Sequence, residues 1–133
     1  MKKHIRVVGA VILDKDDKVL CAQRPEGKNL ALKWEFPGGK IEDGESASEA
    51  LIRELDEEMG CRIDVKDKII TTTYEYDFGV VELTTYYSEV ISGEIKLYEH
   101  VDMKWLKRED IHTLDWAPAD IPAIELIASG KKA

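Results

Sequence analysis

The stretch from Gly39 to Cys61 reads GKIEDGESASEALIRELDEEMGC, and no other part of the chain restricts the fold so tightly. Ser46 followed by Glu49 has the pattern of a capping box, in which each side chain reaches the other's backbone N–H. Gly60 stands where a helix takes a C-terminal glycine cap. The spacing therefore predicts a helix over 46–59. At about 100° per residue, Ser48, Leu51, Ile52, Leu55 and Met59 form a stripe that would face a core. Glu54, Glu57 and Glu58 share another face, with only Ala47 and Ala50 one turn below them. Glu49, Arg53 and Glu57 are spaced as a ladder that puts a cation between two anions.

So many acids together are locally unfavourable. Like charges at i, i+4 cost roughly a few tenths of a kcal/mol, and Asp56, Glu57 and Glu58 in the last turn oppose the helix dipole. A glutamate-rich helix is ordinarily a solvated acidic face. Here the Gly-rich Pro37–Lys40 lies beside it in sequence. Three carboxylates next to such a loop make a set of oxygen ligands for a hard cation, Mg2+ or Mn2+.

The rest of the chain supplies a frame for that helix. With 133 residues, a single domain over 1–133 is expected. Ile5–Leu13 and Lys18–Arg24 read as strands joined by the polar turn Asp14–Asp17, and Pro25–Lys33 reads as a loop. IITTTYEYDF and VELTTYYSEVI alternate as a hairpin around Gly79. MKWL is a short strand, and PADIPAIELIASG is a final helix stopped by Gly130. Strands on both sides of one helix, with a terminal helix, imply an α/β (α+β) fold with helices against a mixed sheet.

Net charge of −8 argues against a grip on polymeric nucleic acid, which needs a basic face. A small anionic substrate is compatible if a cation mediates. The start, MKKHIRVVGAVILDKDD, has a signal-like order of basic then apolar residues. Its apolar run is brief and lacks a small-residue cleavage site, so a buried first strand is the better reading. Cys21 and Cys61 have no metal spacing and read as small buried hydrophobes of a cytoplasmic chain. Trp34 and Phe36 flank Glu35; aromatics there are usually core, though one facing a cleft can stack on a base. His4, His100 and His112 share no ligand spacing and read as surface residues.

Gly39, five residues, Glu45, seven residues, then Arg53-Glu54-Leu55-Asp56-Glu57-Glu58-Met59-Gly60-Cys61 resembles the Nudix box (39–61), G-x5-E-x7-R-E-U-x-E-E-x-G-U. Cys61 at the last bulky aliphatic place is the one soft departure. AQRP, WEFPGGKIE and APADIP extend the likeness to the MutT branch of the family, especially bacterial CTP pyrophosphohydrolases.

The resemblance implies a Nudix α/β/α sandwich with a central mixed sheet. It also implies Mg2+-dependent (or Mn2+-dependent) hydrolysis of a nucleoside triphosphate to the monophosphate and pyrophosphate. CTP, dCTP or a modified pyrimidine triphosphate is the expected substrate. The alternative is MutT-type sanitation of the nucleotide pool by removing 8-oxo-dGTP, and more distantly a non-catalytic nucleotide sensor. By the same resemblance Glu54, Glu57, Glu58 and the Gly38 carbonyl are metal ligands, Arg53 orients the site, and Glu45 either orients it or holds a further metal. Glu99 is a ligand or base from a loop. Arg24 and Lys40 match phosphate contacts, and Phe36 and Asp120 match nucleobase positions. Read without the family, Asp120 is a helix N-cap ahead of Pro122; at the base it would act as an ionised carboxylate, which only accepts hydrogen bonds. The expected partner is a small nucleotide, with no membrane and no polymeric nucleic acid, and the chain a monomer or homodimer.

Overall fold

A computed structural model describes residues 3–129. The expected stop at Gly130 and the first two residues of the signal-like start lie outside them. In chain order come β1 (His4–Ile12), β2 (Lys18–Gln23), β3 (Trp34–Glu35), β4 (Gly38–Lys40), α1 (Ala47–Met59), β5 (Arg62–Tyr76), β6 (Gly79–Ser92) and β7 (Asp102–Lys107). Two 3-10 turns, Arg108–Thr113 and Pro118–Asp120, lead into α2 (Ile121–Ala128).

One sheet has the order β4-β1-β6-β5 and the other β3-β2-β7. The four-stranded sheet is mixed: β1 runs parallel to β6, while β1–β4 and β5–β6 are antiparallel. Val8, Ala10 and Ile12 of β1 pack toward α1, whereas Val11 packs with Ile124 and Ile127 of α2. A strand covered on both faces has no polar side to alternate with, which is why VVGAVIL reads as an unbroken apolar run. Helices therefore lie on both sides of the strands, giving the expected α/β/α sandwich.

α1 is built as its caps imply. The Ser46 side chain accepts the Glu49 N–H, and Glu49 Oε1 accepts the Ser46 N–H at 2.8 Å. Gly60 closes the helix in the left-handed region, φ 65°, where a side chain is disfavoured. The buried stripe differs in detail from the helical wheel. Ala50, Leu51, Leu55 and Met59 are buried and Ser48 is exposed. The core stripe is rotated toward the acidic face because part of that face packs on β4 instead of facing water. Each large apolar side chain so buried stabilises by about 1.5–3 kcal/mol.

The β5–β6 hairpin turns at Asp77–Phe78, between the paired Tyr76 and Gly79, so Gly79 opens a strand and the tip is the two residues before it. Both cysteines are free and buried. Among the described residues no helix is long and apolar enough to cross a membrane.

Candidate active site

β4 pairs with the middle of β1 and brings Gly38 and Gly39 against the acidic face of α1. The contact is close: a Cβ at Gly39 would collide with the Glu54 carboxyl and push it from its place.

Arg53 is the hub of the charges. Its Nε lies 2.7 Å from Glu45 Oε2 and its Nη2 2.9 Å from Glu45 Oε1. Nη1 donates to Glu54 Oε1 at 2.9 Å and to Glu57 Oε2 at 3.2 Å, and Nη2 also donates to the Lys40 carbonyl at 3.0 Å. The bidentate bond to Arg53, helped by the Glu42 backbone, holds the Glu45 carboxyl below its ordinary pKa. One rung of the expected ladder is replaced: Glu49 turns to the Ser46 N–H, and Glu45 faces Arg53.

Glu58 lies in a different environment. Burial pushes its pKa up to about 8, reinforced by Glu54, Glu35 and Glu99 and opposed by a hydrogen bond from the Gly38 backbone. Its Oε2 is buried with no hydrogen-bond partner among the described residues. Burial also raises Glu54, against the pull of Arg53. Among the described residues no three His, Cys, Asp or Glu side chains already stand in ion-holding geometry. The three glutamates are thus not a ready-made cage, because the Arg53 guanidinium lies between Glu54 and Glu57. The donor chemistry still fits a hard divalent cation. Two carboxylates are held above their ordinary pKa, and one has an orphaned oxygen that a cation would satisfy.

A cleft of about 310 Å³ joins this corner, at Gly38, Gly39, Glu58 and Glu99, to an apolar wall that includes Leu30, Phe36, Tyr76 and Phe78. Arg24, Lys40 and Asp120 also line it. Glu45, Arg53, Glu54 and Glu57 adjoin it through Gly39 and the Lys40 carbonyl. Arg24 is pre-oriented, with Nε on the Asn29 carbonyl at 2.9 Å and Nη1 on Glu35 Oε1 at 3.0 Å. Phe36 is core and cleft at once: it is 4% exposed, packs on Trp116 with ring centroids 4.8 Å apart, and lines the cleft.

Asp120 occupies the N-cap position of α2 but makes no side-chain cap bond. Its carboxyl turns inward, 5% exposed, and Oδ1 accepts the Phe36 N–H at 3.3 Å. Burial, with Glu35 nearby, raises its pKa well above the ordinary 3.8. Burial therefore works against the expected ionised form, because the pocket removes the water that would stabilise its charge.

His100 corrects the surface reading. The ring is buried, with Nε2 2.9 Å from Glu35 Oε2. Sequence reasoning also missed Glu35 and Tyr76. For Glu35 the signal was present: in Trp34-Glu35-Phe36 the aromatics point to one side of a strand, which sends Glu35 to the other. Nothing local marked His100.

The Nudix domain model matches residues 3–127. The chain belongs to the Nudix family. It is 37% identical to the CTP pyrophosphohydrolase of Escherichia coli K12 over 123 residues, covering 92% of this chain and 90% of that protein. It is 40% identical to the 8-oxo-dGTP diphosphatase of Proteus vulgaris over 98 residues, 74% of this chain and 86% of that one. A solution structure of a Nudix hydrolase called DNA mismatch repair protein MutT, from methicillin-resistant Staphylococcus aureus 252, shares 52% identity and superposes with a TM-score of 0.79. That match covers 98% of this chain and 99% of the other. The protein is accordingly a Nudix hydrolase, an enzyme of phosphoric anhydrides, and enzymes of this family generally use divalent metals.

Proposed function

We propose that this Nudix hydrolase converts a nucleoside triphosphate and water to the monophosphate and pyrophosphate. CTP, dCTP or a modified pyrimidine triphosphate would be its substrate. The observation that carries the reading is the polarity of one cleft, with cation-seeking carboxylates at one end and a buried hydrogen-bonding acid within an apolar wall at the other. That matches a molecule with polyphosphate at one end and a base at the other.

Glu54, Glu57 and Glu58, with the Gly38 carbonyl and Glu99, would hold the cation, Mg2+ or Mn2+. Bound there, it supplies charge neutralisation and polarisation at the phosphates. Glu45 fixes Arg53, and Arg53 sets the spacing of Glu54 and Glu57. Arg24 and Lys40 meet phosphate oxygens. Glu99, on an exposed loop, is a ligand or accepts the proton of the attacking water. Phe36 receives the base beside Asp120.

In this reading Asp120 binds as a protonated acid, which offers a donor beside an acceptor. The Phe36 N–H bonds Oδ1 and so sets the order, leaving Oδ2 to carry the proton in this reading. Cytosine and uracil present an acceptor and a donor on the same edge in opposite orders, so a fixed carboxyl separates them. The similarity to the E. coli CTP pyrophosphohydrolase supports cytosine. Guanine also brings N–H donors to an acid, and the similarity to the P. vulgaris 8-oxo-dGTP diphosphatase supports that second reading. One domain over 1–133, monomeric or homodimeric and cytoplasmic, completes the proposal.

Pyrophosphate release from normal, methylated and oxidised nucleoside triphosphates, with and without Mg2+, tests it. Cytosine nucleotides should exceed UTP and dTTP by about tenfold or more in kcat/KM, as one mismatched buried polar contact implies. A leading rate on 8-oxo-dGTP would replace the first reading with the second. No hydrolysis of any nucleotide would leave a binding module.

A further inference from the structure

The stretch 94–101, between β6 and β7, is exposed at every position except Ile95 and His100. His100 departs furthest: its side chain is 4% exposed, deeper than Glu35, which it meets at 2.9 Å. With the carboxylate as acceptor, Nε2–H is the donor, and among the described residues Nδ1 has no hydrogen-bond partner. One bond therefore holds the ring. Glu35 also takes Arg24 Nη1, so a single carboxylate ties the loop to the strand-end arginine of β2. It sits immediately before Phe36, whose N–H holds Asp120, and three residues before Gly38, whose backbone supports Glu58. Glu99, the neighbour of His100, reaches the acidic corner closely enough to disturb Glu58.

Resting on the function proposed above, we propose that His100 is a positioning residue: its bond to Glu35 pins the 94–101 loop to the cleft floor and fixes where Glu99 stands relative to Glu58. The ends of the loop are held by backbone bonds, Lys96 N–H to the Met59 carbonyl at 2.9 Å and Val101 N–H to the Gln23 carbonyl at 3.0 Å. Between those ties His100 is the buried side chain beside Glu99. A carboxylate on an exposed loop would otherwise sample many positions, and a misplacement of about 1 Å at a reacting centre costs on the order of a hundredfold.

The test is a double-mutant cycle of His100→Ala with Glu99→Gln, His100→Gln serving as the conservative variant that keeps an N–H for Glu35. On the parent background His100→Ala should lower kcat roughly ten- to a hundredfold, with nucleotide KM changed by less than about threefold. On the Glu99→Gln background it should cost almost nothing more, and His100→Gln should recover most of the loss. Amide hydrogen exchange on the metal-free protein gives a second readout. His100→Ala should speed exchange at Val101 by about tenfold while amides in α1 stay unchanged. An equal loss on both backgrounds, or unchanged exchange at Val101, overturns the proposal. If the parent hydrolyses no nucleotide, the functional reading fails, and exchange at Val101 still decides whether His100 holds the loop.

Discussion

Asp120 shows what burial does to one carboxyl. On the surface it would be an anion and a helix cap; inward, beside the Phe36 N–H and near Glu35, its pKa is raised well above the ordinary value. The consequence can be measured. Asparagine reproduces the donor–acceptor order of a protonated acid, so Asp120→Asn should keep the preference for cytosine over uracil nucleotides within about threefold, whereas Asp120→Ala should lose most of it. A collapse of the ratio in the Asn variant would mean that the group binds as an anion. Glu58 makes a parallel case at the other end of the cleft. A carboxyl whose folded pKa is about 8 binds its proton more tightly folded than unfolded, where the ordinary value is 4.5. Its contribution to stability is complete below about 4.5 and is lost as pH rises through about 8. Metal-free melts should therefore fall across that window in the parent and fall less steeply in Glu58→Gln, which carries no proton to lose. Parallel curves for the two proteins would place the titrating group elsewhere.

At the scale of elements, the cleft depends on contacts between segments distant in sequence. A bond from Ala119 N–H to Tyr76 Oη at 2.8 Å docks the end of β5 on the Pro118–Asp120 turn. The Tyr76 ring stacks on Phe78 at 5.0 Å, so the hairpin tip is both wall and clamp. Tyr76→Phe keeps the wall and leaves the buried Ala119 N–H without this acceptor, a loss of about 1–3 kcal/mol. The melting temperature should fall and the cytosine-to-uracil ratio narrow, because Asp120 follows Ala119 directly; a lower melt with an unchanged ratio would make Tyr76 purely structural. Legibility follows the same division. α1, its caps and the alternating strands could be read from local spacing because their signals are periodic. The inward burial of Asp120 and the burial of His100 could not be read. They come from packing across 84 residues to Phe36 and 65 residues to Glu35, which no local pattern encodes. The hairpin was legible, yet its tip was displaced to Asp77–Phe78, since turn residues and strand residues alternate alike there.

Across the whole molecule, a net charge of −8 and a cluster of buried acids work against the folded state, and a bound cation would offset both. A cation that binds only the folded cluster stabilises by mass action, about 2.7 kcal/mol at a hundredfold excess over its dissociation constant. Melting temperature should therefore rise with Mg2+ in the parent and much less in the Glu54→Gln/Glu57→Gln/Glu58→Gln triple variant. The metal-free triple variant should itself melt no lower than the parent at alkaline pH, because it removes charge that burial opposes at Glu54 and Glu58. The two effects also meet in one measurement. Glu58 must release its proton to serve as a ligand, so the Mg2+-induced rise in melting temperature should grow as pH approaches about 8 and level off above it. A rise equal in both proteins, or one that does not depend on pH, would show that the ion binds away from α1.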